Sequence, residues 1–146
     1  MRFYKLKFVD ILQDGFGGMA SRYKVEILKK YRSDAGLLAH ELVHVKAWYV
    51  GVGVCLLAGV TAAWYWHWLW MVPAAAVAWN NQGIAYRWKW YRKWIEGVAY
   101  RKQLSVGYGN GVMYLTADFA VNALINKYGL SLSRGEAEEL LGVKKG

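Results

Sequence analysis

The sequence predicts an α+β fold, mostly helical, and three observations lead to it. Two stretches near the N-terminus alternate apolar and polar residues. His40-Glu41-Leu42-Val43-His44 reads H-E-x-x-H within an apolar pattern of helical spacing. From Ala47 to Tyr86, forty residues pass without Asp, Glu, Lys or Arg, and a basic helical pattern follows. The expected order is a short N-terminal sheet, a helix carrying H-E-x-x-H, an apolar helical hairpin, and a returning helix carrying Glu96. At 146 residues the chain reads as one domain, 1–146, with 47–86 as a hairpin insert.

Phe3 to Ile11 and Arg22 to Tyr31 are the predicted strands. In the second, Tyr23, Val25 and Ile27 alternate with Lys24 and Glu26 before Leu28, as a half-buried strand requires. Asp14-Gly15-Phe16-Gly17-Gly18 between them is a turn. A phosphate-cradling loop would need Gly-Lys-Ser/Thr opening a helix, which this stretch lacks.

The first helix starts at Asp34, a natural N-cap, and Leu38, Leu42 and Val45 form its apolar stripe. Positions i and i+4 share a helix face, so His40 and His44 can bind one Zn²⁺ at ~2.0–2.1 Å each. Glu41 stands where it can take a proton from an activated water. A decorated helix would show the same letters, and zinc needs a third protein ligand.

The uncharged run divides into two short spans, 47–64 and 69–86, against a requirement of ~17–25 residues for a bilayer span. Trp64-Tyr65-Trp66-His67-Trp68-Leu69-Trp70 falls at the turn, and aromatic residues favour the membrane interface. Pro73 stands near the start of the second helix, where its missing N–H is tolerated. Lys46 flanks one end, and Arg87, Lys89, Arg92 and Lys93 the other, so positive charge puts both ends on the cytoplasmic side. The alternatives are a shallow re-entrant hairpin, favoured by Asn80, Asn81 and Gln82, and a pair of Trp-rich core helices in a soluble protein.

Tyr86 to Leu104 reads as a helix in which basic and aromatic residues interleave. Such a run can bind single-stranded nucleic acid or lie at lipid head groups. Its place directly after the uncharged run favours lipid. The net charge of +9 points to acidic partners such as anionic lipid. The single cysteine, Cys55, excludes an internal disulfide and a cysteine-based zinc finger. Met1 to Lys7 carries no long apolar stretch, so no cleavable signal peptide is expected. Gly107 to Gly111 is a loop and Val112 to Tyr128 a helix ended by Gly129. Ser133-Arg134-Gly135-Glu136 is a capping box opening a last helix through Leu141. These last two helices carry no ligand cluster and are read as packing elements.

Glu96 is the best third ligand, being the only acidic residue between Glu41 and Asp118. A hairpin of two similar arms brings its helix back beside the histidines to within about two turns, at ~1.5 Å per residue. The competing reading is a surface glutamate paired with Arg92 or Lys93. His67, at the far end of the hairpin, lies too far away to share a metal with His40. Asp118 and Asp14 are the fallback ligands.

His40-Glu41-Leu42-Val43-His44-Val45-Lys46, followed by Glu96-Gly97-Val98-Ala99-Tyr100-Arg101, resembles small bacterial and phage proteins of the minimal gluzincin type. Those share H-E-L-x-H-V on one helix and E-x-x-A-Y-R on a later one, often with an apolar insert between. The resemblance covers roughly residues 20–105. It implies a zincin-like fold, His40, His44 and Glu96 as zinc ligands, and Glu41 as general base. Larger gluzincins place an Asp a turn beyond the glutamate to orient a histidine, and here Tyr100 occupies that position.

The expected function is thus a membrane-associated zinc metallopeptidase acting on a peptide or protein. Tyr100 or Tyr108 would donate to the oxyanion, and the Arg22–Tyr31 strand would hold the substrate. The alternative is a membrane or virion interaction protein, or a soluble cytoplasmic one, with a structural or vestigial metal site. The sequence leaves the oligomeric state open.

Overall fold

The computed structural model describes residues 3–13, 15–107 and 116–143. It is α+β and mostly α, as expected. Strands β1 (Lys5–Val9), β2 (Gly18–Ser21) and β3 (Lys24–Leu28) form a sheet of order β1-β3-β2. β1 runs parallel to β3, with Phe8 opposite Ile27, and β2 runs antiparallel to it, with Ala20 opposite Val25. Five helices follow: α1 (Ala35–Tyr65), α2 (Met71–Ala85), α3 (Lys89–Gly107), α4 (Ala117–Asn126) and α5 (Arg134–Leu141).

β2 occupies the end of what the sequence presented as a turn. Gly18-Met19-Ala20-Ser21 is too short to show alternation. A tight reversal forms it: Arg22 takes a positive φ of 56° and folds the segment onto β3. β3 is therefore the central strand, paired on both sides, and cannot hold a substrate strand as the sequence suggested. The available edge beside the helices belongs to β2.

α1 begins where Asp34 accepts a hydrogen bond from the Leu37 amide at 2.7 Å. Its inner face meets the sheet in a small core of Val25, Ile27 and Val45, ringed by Leu37, Leu38 and Leu42. Full burial of each such side chain is worth roughly 1.5–3 kcal/mol. A second core lies behind α3, where Tyr100 and Leu104 pack on Ala120, Val121 and Leu124 of α4 and Leu141 of α5. The Ser133–Glu136 capping box opens α5 as predicted. α4 is shorter than expected and is capped by Thr116, while residues 112–115 of that predicted helix lie outside the described residues. α3 runs on through Gly107, the first residue of the predicted loop 107–111, and residues 108–111 also lie outside the described residues.

α1 runs without interruption from the motif into the hairpin, reverses through a short 3-10 turn at Trp68–Trp70, and returns as α2. The two arms cross closely at Gly59, where an added Cβ would collide with Ala74. α2 has 15 residues, fewer than the 69–86 span expected, because Leu69 and Trp70 belong to the 3-10 turn and Tyr86 to the turn that follows; its last turn packs against the rest of the chain. There the Asn81 amide donates to the Trp48 carbonyl at 3.2 Å, and the Arg22 N–H donates to Gln82 Oε1 at 3.2 Å. The predicted helix 86–104 breaks at its start: Tyr86 to Trp88 form a turn, and α3 begins at Lys89.

α1 is long and apolar enough to cross a membrane, and only 11% of its most apolar stretch is buried. A core helix of a soluble protein would be mostly covered. Here Val50, Leu57 and Trp64 stand 67%, 70% and 86% exposed, and Trp66, Trp68 and Trp70 at the tip are also open.

Candidate metal centre

α1 and α3 pack antiparallel, and the site lies between them. Gly36 of α1 approaches the backbone of Gln103, the His40 ring meets Tyr100 edge-on at 4.6 Å, and His44 comes level with Glu96. The chain turns at Tyr86–Trp88, and α3 then lies along α1. His40, His44 and Glu96 are all buried, and one ligand atom from each lies within 4.8 Å of the others. These three are close enough to bind a metal ion.

The donor atoms are poised for a cation. Glu96 Oε2 stands 3.6 Å from His40 Nε2 and 3.7 Å from His44 Nε2, beyond hydrogen-bonding distance. Ligands at ~2.0–2.1 Å from a tetrahedral ion stand ~3.3–3.4 Å apart, so small side-chain adjustments would close the site. Glu96 Oε2 is buried without a hydrogen-bond partner among the described residues. An orphaned carboxylate oxygen facing two imidazole nitrogens is costly unless a cation satisfies it. The donor set, two imidazoles and a carboxylate, fits Zn²⁺ with a position left open.

Protonation states agree. Burial pushes the Glu96 carboxyl up, but the two imidazoles and the Tyr86 hydroxyl outweigh it and hold Glu96 below the usual carboxylate range. Burial lowers His44 to about 4, so its imidazole is neutral, the ligating form. Glu41 is raised to about 7, chiefly by burial, with His40 opposing and Glu96 adding to the rise. A carboxylate poised near neutrality suits a proton acceptor and donor.

Glu41 faces the sheet edge. A Cβ added at Gly18 would stand 2.8 Å from its Oε1, so only glycine leaves β2 room for that carboxylate. Two adjoining clefts of about 520 and 660 Å³ meet here, sharing Phe16, Gly18, His40, Glu41, Lys127 and Tyr128 in their walls. All of β2 lines the larger one.

Tyr100 lies against His40, and its hydroxyl pairs with that of Tyr128 at 3.1 Å. Burial pushes both hydroxyls up, so both stay protonated. Tyr108 and Asp14 lie outside the described residues. Asp118 pairs with Arg134 on α4 and α5, away from the cluster. His67 stays at the hairpin tip, where its ring nitrogen accepts from the Leu69 amide at 3.2 Å. Arg92 does not pair with Glu96: its guanidinium donates to the Tyr86 carbonyl at 3.1 and 2.7 Å and to the Tyr128 carbonyl at 2.9 Å. Glu96, 2% exposed, is no surface charge.

Gly18, Tyr86 and Tyr128 escaped the sequence reading. Gly18 looked like turn composition, Tyr86 like the end of an uncharged run, and Tyr128 like the close of a packing helix. A tyrosine directly before a helix-ending glycine was the only local cue, and it concerned Tyr128 alone. Comparison with protein-family models, curated proteins and solved structures returns no match.

Proposed function

We propose that the chain is a membrane-associated zinc metallopeptidase of the minimal gluzincin type. The observation that carries this reading is the buried His40–His44–Glu96 group with Glu41 beside it at the meeting of two clefts. A zinc ion held there would polarise a substrate carbonyl and make water acidic enough to react near neutral pH. Glu41 takes the proton of the attacking water and returns it to the leaving amine, so that one peptide bond and one water become a carboxylate and an amine. The Tyr100 hydroxyl, backed by Tyr128, donates to the developing oxyanion. An extended peptide adds to the β2 edge beside Glu41.

The hairpin supplies the membrane part. From Trp48 to Trp64, α1 rises ~24 Å at ~1.5 Å per residue, most of a ~30 Å hydrocarbon core. Exposed Trp88, Trp90 and Trp94 beside Arg87, Lys89 and Lys93 form an aromatic and basic collar near its base. The positive charge of the collar supports a cytoplasmic metal centre.

Wild-type protein in detergent or vesicles should cleave a mixed peptide library, with products read by mass spectrometry. Glu41→Gln should lose at least about 100-fold of that activity, since general acid–base catalysis typically contributes 10²–10⁴-fold, while keeping its zinc. Zinc without turnover in the wild type would instead make this an interaction protein with a structural metal. Separately, the expressed protein should fractionate with membranes and resist high-salt extraction, because salt screens a basic surface but does not expel an inserted hairpin. Release by salt would defeat the insertion.

A further inference from the structure

We propose that Tyr86 is the positioning residue that fixes two of the three metal ligands and ties the metal centre to the return of the hairpin. This rests on the metal-binding reading above. The Tyr86 hydroxyl lies 2.8 Å from Glu96 Oε1 and 3.0 Å from His44 Nδ1. An ionised carboxylate only accepts, so the phenol proton points to Glu96. The phenol oxygen is then left as an acceptor, and His44 Nδ1 must carry a proton to meet it. This sets the tautomer: His44 Nε2 is bare, and it is the nitrogen that faces Glu96 Oε2 at 3.7 Å. The same hydroxyl holds Oε1 of Glu96 and leaves Oε2 free. One side chain thus aims both donor atoms at the same point. His40 has no such support, since its Nδ1 has no partner among the described residues.

Tyr86 is itself held from behind. It follows directly on α2, at the point where the hairpin re-enters the rest of the chain. The Arg92 guanidinium grips its carbonyl with two nitrogens and the Tyr128 carbonyl with the third. The Tyr86 backbone is thus held by the end of α2 on one side and by Arg92 of α3 on the other. In this chain a tyrosine does for His44 what a carboxylate often does for a ligating histidine.

The experiment compares zinc affinity, by chelator competition in detergent, for wild type, Tyr86→Phe and Tyr49→Phe. Loss of a group that orients ligands weakens binding about 10–100-fold, and Tyr86→Phe should fall in that range. The visible spectrum of its Co²⁺ form should also shift, which a loss of packing alone would not cause. Tyr49→Phe removes a hydroxyl that donates to the Phe3 carbonyl, away from the three ligands, and should bind zinc as wild type does. Should Tyr86→Phe not fold, ¹⁵N NMR of the zinc-loaded wild type carries the test: His44 must be protonated at Nδ1 and metal-bound at Nε2. Zinc affinity of Tyr86→Phe within about twofold of wild type, or the opposite His44 tautomer, overturns the proposal. A wild type that binds no zinc overturns the metal reading itself, and the proposal with it.

Discussion

Replacing His40 or His44 by alanine is expected to strip the protein of its metal. Purified wild type should hold about one zinc per chain, as one group of three ligands allows. Zinc sites of four ligands contribute ~10–16 kcal/mol, so one ligand carries roughly 3 kcal/mol or more, at least about 100-fold in affinity. Glu96→Ala should weaken binding by a similar factor, because it removes the only carboxylate in the cluster. Glu136→Ala is the control. Glu136 is an acid of the same type, but it caps α5 through Ser133 and stands near Lys93, away from the site. Elemental analysis and chelator competition read all four variants. Stoichiometric zinc in the His40/His44 double alanine variant would sink the assignment, and equal affinity in the Glu96 and Glu136 variants would remove Glu96 as a ligand.

The His40–His44–Glu96 cluster was legible because its spacing is local or its composition unusual. His40 and His44 are one helical turn apart, and Glu96 is the only acid in a long stretch, so helix geometry and a simple hairpin sufficed. The hairpin was legible because forty residues without charge have few other uses. What organises the site was not legible, because it depends on contacts between residues distant in sequence. Tyr86 reaches His44 across 42 positions, and Arg92 reaches Tyr128 across 36. Neither pair leaves a periodic trace. β2 was missed for a different reason: four residues are too few to show alternation, and their strand exists only because β3 offers an edge and Arg22 turns the chain back. Missing β2 also made β3 look like an edge, since a one-strand error in a three-stranded sheet exchanges centre for rim.

The metal-free protein should show opposing pH effects from Glu41 and His44, and Glu41→Gln should separate them. Glu41 has a folded pKa of about 7 against an ordinary 4.5, raised mainly by burial. The folded state keeps a proton that the unfolded chain releases. Its contribution is therefore fully present below about 4.5 and is lost as pH rises through 7. His44 runs the other way. Its folded pKa, lowered by burial to about 4 from 6.5, makes its contribution present above 6.5 and lost as pH falls through 4. Each effect amounts to roughly 3 kcal/mol at most, so between about 4.5 and 6.5 they nearly cancel. With glutamine at position 41 only the His44 effect remains, and stability should rise with pH across that window. The difference between variant and wild type, measured by denaturant unfolding with chelator present, should grow in the variant's favour by up to about 3 kcal/mol from pH 4 to pH 8. Constant costs of the substitution cancel in that comparison. A difference that stays flat with pH would mean that Glu41 ionises as an ordinary surface carboxylate, and the poised base that the catalytic reading requires would be lost with it.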